Sequence, residues 1–297
     1  MVNAFSPARP ATIACREIRE EDFSAIADLL ARGFPGRQTA YWRRGLARMA
    51  TLHVPAGYPR FGFTMLSADK PVGVILQLNR EFRDASGKPY VRCNLSSWYV
   101  EPAYRSYASP LISLAVRRRE VTYINVSPAP PTWPIVEAQG FKRFSNGQFF
   151  ALPALSFKGT GLRVVPFSPS FETDLPSAER TLLEDHAQFG CLNLICRTPT
   201  GDVPFVFAPF SIESGRVPLP FVRLIYCRDM ADFMACAGSL GRFLLRRGTV
   251  SVLLDVKSAR PRLPGLYSEK LGRKYFKGPN PPRPGDLSYS EFVVFGL

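Results

Sequence analysis

Apolar and polar positions along this chain fall into blocks that occur twice in the same order. In the first half, REIREEDFSAIADLLARGF predicts a short strand and then a helix. Asp22 stands at its N-cap, Ile26 and Leu30 mark one face, and Gly33 ends it. Two apolar runs about a polar Ala-Asp-Lys turn come next over Arg60–Asn79 and predict a hairpin. A third strand at Val91–Val100 leads into a helix at Ser109–Arg119. VTYINV is then a strand, before a proline-rich loop, a short helix ending at Gly140 and a strand at Gln148–Leu152. The second half opens on Leu162–Phe167 as its first strand. From Cys191 it repeats the scheme with a hairpin, the strand VPLPFVRLIYC and a helix that Asp229 caps and Gly248 ends. VSVLLDV, LYSEKLG and a last strand, YSEFVVFG, complete it.

The hairpin turns Asp69-Lys70 and Thr200-Gly201 stand about 131 residues apart, and Gly140 and Gly272 keep nearly the same offset. A repeat of that length is a duplicated domain and not a solenoid. The expected architecture is therefore α/β, with mixed sheets in two tandem domains, 1–155 and 156–297, joined through the Pro-, Ser- and Gly-rich stretch 153–176.

Composition changes this picture only at a few points. The 297 residues are 46% hydrophobic, enough for two cores, and no apolar run is long enough to span a bilayer. Six cysteines without a CxxC pair, mostly inside apolar runs, suit reduced thiols and a cytoplasmic location. Only His53 and His186 are present, neither with a ligand partner nearby in sequence, so no metal is expected. The net charge of +14 favours polyanionic partners. Its arginines are spread along the whole chain, however, with no basic tail, RNP-type aromatic motif or zinc-finger spacing to mark nucleic-acid recognition.

The element order, with IREEDFSAIADLLARGFPG (Ile18–Gly36), VEPAYRSYASPLISLAV (Val100–Val116) and VEAQGFKRF (Val136–Phe144), resembles the GCN5-related N-acetyltransferases. In that family a V-x-P-x-x-R pattern ends the central strand, matched here by Val100, Pro102 and Arg105. The loop after it wraps the pyrophosphate of acyl-CoA. The resemblance implies acetyl-CoA or another acyl-CoA as co-substrate, a small-molecule acceptor, and donor-binding residues Trp98, Tyr99, Val100, Arg105, Ser106, Tyr107, Ala108 and Ser109. The chemistry is that of an anion at a helix start, where N–H groups and the helix dipole point outward. Ser106, Ala108 and Pro110 replace the usual small residues, and Pro110 has no N–H to give. The second copy has Asp229 and Asp232 at the matching helix start, which repel phosphate, so it is expected to shape the acceptor side.

Acyl transfer to an amine needs a base and a proton for the departing thiolate. The glutamate that many members of the family carry on the central strand is Asn94 here, and the tyrosine of the last helix is Val136. The substitutes on or near the central strand are Asn94, Ser96, Tyr99 and Tyr123, with aromatic packing as the competing role of the tyrosines. Trp133, in the loop SPAPPTWP, and Glu81, past the hairpin, are the candidate acceptor residues. His53, Cys93, Glu101, Tyr104 and Tyr107 are weaker candidates. Three functions are compatible with these residues: an acyltransferase acting on an amine or hydroxyl, an acyl-CoA- or nucleotide-binding protein without turnover, and a transferase whose acyl donor is linked to RNA.

Overall fold

A computed structural model describes residues 13–84, 86–214, 217–257 and 262–296, the side chains of 211–220 excepted. The first half forms β1 (Ile13–Glu17), α1 (Phe23–Gly33), α2 (Thr39–Thr51), β2 (Gly62–Ser67), β3 (Lys70–Arg83), β4 (Pro89–Val100), α3 (Ala108–Ala115), β5 (Thr122–Asn125), α4 (Trp133–Ala138), β6 (Lys142–Ser145) and β7 (Gly147–Ala151). Then come β8 (Arg163–Pro166), α5 (Ser177–Gln188), β9 (Leu192–Thr198), β10 (Gly201–Ser214), β11 (Val217–Cys227), α6 (Met230–Leu245), β12 (Ser251–Val256), β13 (Gly265–Ser268) and β14 (Lys274–Lys277). They make two mixed sheets of seven strands, ordered β1-β2-β3-β4-β5-β14-β6 and β13-β7-β12-β11-β10-β9-β8. The α/β reading with two sheets holds. No helix among the described residues is long and apolar enough to cross a membrane.

The chain divides into two compact units, one running up to Asn79 and including Leu95–Arg119, the other formed by Arg80–Asn94 and Glu120 onward. In the first, β1, β2 and β3 form an antiparallel meander. Its hairpin turns on Ala68 and Asp69, both at positive φ (48° and 63°), an arrangement that an Asp tolerates better than most residues. Asp22 does stand at the N-cap of α1, but its carboxylate turns back to Arg16, at 2.7 and 2.8 Å, and to the Arg19 N–H. Ion pairing thus replaces the expected cap. Helix α2, absent from the sequence expectation, buries Trp42, Leu46 and Met49 along one face. Gln77 reaches the last turn of α3, its Nε2 donating to the Ala115 carbonyl at 2.7 Å.

In the second unit, equivalent strands of the two halves are exchanged. β5 and β6, from the first half, pair on either side of β14, from the second. Reciprocally, β7 from the first half pairs with β12 and β13. Gly140 and Gly272, at φ 83° and 76°, turn the chain toward β6 and β14 respectively.

Helix α6 begins as expected, Asp229 accepting from the Ala231 N–H at 2.8 Å. It buries Phe233, Ala237, Leu240 and Leu244 against one face of the second sheet. Its Gly241 meets the backbone of Pro153 and Ala154 so closely that a Cβ would stand 2.1 Å from the Ala154 nitrogen.

One expectation for the end of the chain is corrected. Part of LYSEKLG is the strand β13, and YSEFVVFG is no strand: Phe292–Gly296 is a π-helical turn. The run is apolar and β-branched, which favours a strand locally. Phe292, Val293, Val294 and Phe295 are all buried, and a residue surrounded by core leaves no period for the sequence to show.

Candidate active site

The residues expected to hold a donor, Trp98–Val100 and Arg105–Ser109, fall within the first unit. β4 is laddered to β5 in parallel at Arg92–Asn94, and its last residues, Leu95–Val100, belong to the first unit. Within that run Ser97 has φ 52°, an uncommon conformation for a residue with a Cβ, and its Oγ lies 2.9 Å from that of Ser96. Ser96 is buried, as is the indole nitrogen of Trp98, which has no hydrogen-bond partner among the described residues. The ring of Tyr99 packs on Gly33 so tightly that a Cβ there would come within 2.4 Å of it. Tyr99 therefore shapes the end of α1. Val100 is buried, and Glu101 pairs with Arg32 at 2.8 Å.

Beyond Glu101 a 3-10 helix, Pro102–Tyr107, runs straight into α3. This turn uses some backbone donors internally: the Tyr104 N–H binds the Glu101 carbonyl at 2.9 Å, and the Ala108 N–H binds that of Arg105. Arg105, Ser106, Tyr107, Ser109 and Pro110 are exposed, and Ala108 is half-buried. Arg105 is in no ion pair among the described residues. The surface suits a pyrophosphate held by a free guanidinium and serine hydroxyls, with fewer backbone N–H groups than a glycine loop provides.

The second unit contains a cavity of about 260 Å³. Trp133 lines it, with Ser127 and Pro128 from the proline-rich loop, Arg223 from β11, Arg273 and Lys274 from the start of β14, and Phe292 from the terminal turn. Trp133 is fixed by its indole N–H on the Pro128 carbonyl at 3.0 Å and by the Arg273 guanidinium stacked 4.1 Å from the ring. Glu81 is exposed on β3 and is not among the lining residues.

Asn94 is buried, and its side-chain oxygen accepts the backbone N–H of Glu291 at 2.8 Å. Glu291 is itself only 3% exposed, and Ser127 donates its hydroxyl to Oε1 at 2.5 Å. The central-strand position that lacks a carboxylate thus holds one from the other end of the chain, which the sequence reading missed. The available signal was a lone Glu inside the apolar run YSEFVVFG. Tyr123 is buried in β5. Burial pushes the Cys93 thiol far above the usual range, which leaves it unreactive. His53, Tyr104 and Tyr107 lie outside the cavity lining, and Val136 is buried on α4.

Around the cavity, Lys274 is fully buried and bonded to Asp255 at 2.7 Å. Desolvation lowers its pKa, and the Asp255 charge opposes that. Arg223, 7% exposed, lies over the rings of Phe210 (4.9 Å) and Phe292 (3.7 Å). An arginine amid VPLPFVRLIYC was the sequence signal for it.

No family model matches this chain, and no curated protein matches it. Solved structures do. A GCN5-related N-acetyltransferase from Anabaena variabilis aligns with a TM-score of 0.58 at 10% identity, over 89% of this chain and 72% of that one. Another from Kribbella flavida gives 0.54 at 13% identity, over 90% and 71%. Eis1 from Mycobacterium abscessus gives 0.50 at 11% identity, over 90% and 73%. With its two mixed seven-stranded sheets, the chain has the fold of the GCN5-related N-acetyltransferases.

Proposed function

We propose that this protein transfers an acyl group from acyl-CoA to the amine of a small acceptor. When bound, acyl-CoA supplies the activated thioester. Arg105, with the hydroxyls of Ser106 and Ser109 at the start of α3, would hold its pyrophosphate. The backbone of Ser97–Val100 would line the acyl end. In this reading residues 1–155 are the donor-binding copy and 156–297 the degenerate one, with the acceptor in the cavity beside Ser127 and Trp133. The Asn94–Glu291–Ser127 chain of hydrogen bonds carries the reading. Ser127 borders the cavity and its hydroxyl already points its proton at a carboxylate, so an amine proton can pass to Ser127 Oγ as the serine proton passes to Glu291. Asn94 fixes the backbone of Glu291 and is a positioning residue.

Calorimetric titration with acetyl-CoA and longer acyl-CoAs tests the donor side. Arg105→Ala is expected to weaken binding by about ten- to a hundredfold, the loss of roughly one charge-assisted hydrogen bond, about 1.5–3 kcal/mol. Absence of any acyl-CoA binding by the parent protein would remove the donor from this reading. Glu291→Gln keeps the shape and the backbone bond to Asn94, and turnover in an acyl-CoA-dependent acceptor screen should fall by about 10²-fold or more, donor affinity being unchanged. A second reading, acyl-CoA binding without turnover, is favoured by buried Val136 in place of the usual tyrosine. It would be the outcome if the donor binds and neither the parent nor the variant turns over.

A further inference from the structure

The cavity of the second unit has a charge pattern that goes beyond a generic acceptor site. Among the described residues its lining includes Arg223, Lys270, Arg273 and Lys274, and no acidic residue. The cations differ in how they are balanced. Lys274 is bonded to Asp255. Arg273 stacks on Trp133, with its Nε buried and unpaired. Among the described residues Arg223 has no carboxylate in hydrogen-bonding contact: its Nε and Nη1 are buried and without a hydrogen-bond partner. The nearest acidic groups acting on it are Asp255, already held by Lys274, and Glu291, already accepting from Ser127.

A buried guanidinium without an oxygen partner is costly; desolvation lowers the Arg223 pKa to about 10 against the opposing charges of Asp255 and Glu291. The nearby rings of Phe210 and Phe292 compensate only in part. An anion bound in the cavity that Arg223 lines would supply an oxygen partner to the guanidinium. A volume of about 260 Å³ lies just below the ~300–1,000 Å³ of drug-sized pockets, so the ligand is small.

We propose that the cavity binds a small ligand through its carboxylate or phosphate, held by Arg223 with Arg273 and walled by Trp133 and Phe292. Resting on the acyltransferase reading, this makes the acceptor an anionic amine: an amino acid or an amine bearing a phosphate. The anion sits on Arg223 and the amine is left toward Ser127.

Binding can be tested without any acyl donor. Ethanolamine, β-alanine and O-phosphoethanolamine share a short amine and differ in carrying no anion, a carboxylate or a phosphate. Calorimetry, with Trp133 fluorescence as a second readout, should show at least one of the two anionic probes binding tenfold or more tighter than ethanolamine. The better of the two names the anion. Arg223→Met should abolish that preference while raising or preserving the melting temperature, because it removes an unpaired buried charge. Should Arg223→Met fail to fold, Arg223→Lys and thermal shift of the parent protein with inorganic phosphate decide the same point. Equal affinity for the three probes, or a preference that survives loss of the guanidinium, would overturn the proposal. Anion binding without acyl-CoA turnover would keep the anion site and discard the acyltransferase reading. Turnover of uncharged amines alone would do the reverse.

Discussion

Asp286→Ala is expected to cost about 3–5 kcal/mol of stability, the usual penalty for leaving one member of a buried ion pair alone. Arg92, in the first part of β4, is 2% exposed, and its Nη1 donates to Asp286 Oδ2 at 3.0 Å. Its Nη2 donates to the Ser288 carbonyl at 2.8 Å, and the guanidinium lies 3.7 Å from the ring of Phe82. Desolvation pushes the Asp286 carboxyl up, but the Arg92 and Arg283 charges outweigh it and hold its pKa at about 2. Removing the carboxylate therefore strands a cation with no route to water. The pair also ties β4 to the segment that carries Glu291, so the same change should displace the candidate base. Urea unfolding measures the loss, and a change below about 1 kcal/mol would show that the pair is not the tether. A double variant, Arg92→Met with Asp286→Leu, should recover most of the stability, since two apolar groups replace both charges.

Stability should also fall steeply in mild acid because of His186. This side chain is fully buried on α5, next to the ring of Tyr289. Its Nε2 accepts the Tyr289 N–H at 3.1 Å, so Nδ1 carries the proton and donates to the Leu182 carbonyl at 2.7 Å. Burial drives its pKa from 6.5 down to about 4, opposed by that carbonyl and by the charges of Asp185 and Asp286. Between those two values the unfolded chain binds a proton that the folded chain refuses. The stabilisation is therefore complete above pH 6.5 and is lost progressively as pH falls from 6.5 through 4. Linkage gives a loss of about 2 kcal/mol by pH 5 and about 3 kcal/mol by pH 4. Chemical denaturation from pH 7.5 to 4 should show this slope in the parent protein, with a shallower one in His186→Gln. An equal slope in both would assign the acid sensitivity elsewhere.

His186 and Asp286 show where sequence reading stopped. Two histidines and a scatter of carboxylates gave no sign that His186 receives a backbone N–H from a residue more than a hundred positions away. Pairings of that separation have no local period. Helix α2 is a different omission. Trp42, Leu46 and Met49 stand at helical spacing and were legible, but the arginines around them diluted the pattern.

By itself the sequence determined the local elements whose signals are short-range: the β2–β3 and β9–β10 hairpins, the capped start of α6, the glycines that turn the chain at 140 and 272, and the duplication that these spacings reveal. It also carried the likeness to the acetyltransferase fold, through the run of elements from β4 into α3. Tertiary structure decided what required a partner distant in the chain. It set β14 between β5 and β6, and β7 beside β12, because equivalent edges of a duplicated unit accept either copy of a strand. It wound the β-branched FVVF run into a buried π-helical turn, because packing on all sides overrides a propensity worth about 1 kcal/mol. Through that turn it brought Glu291 to Asn94 and Ser127, and Phe292 to Arg223, so the candidate site is made of residues that no spacing connects.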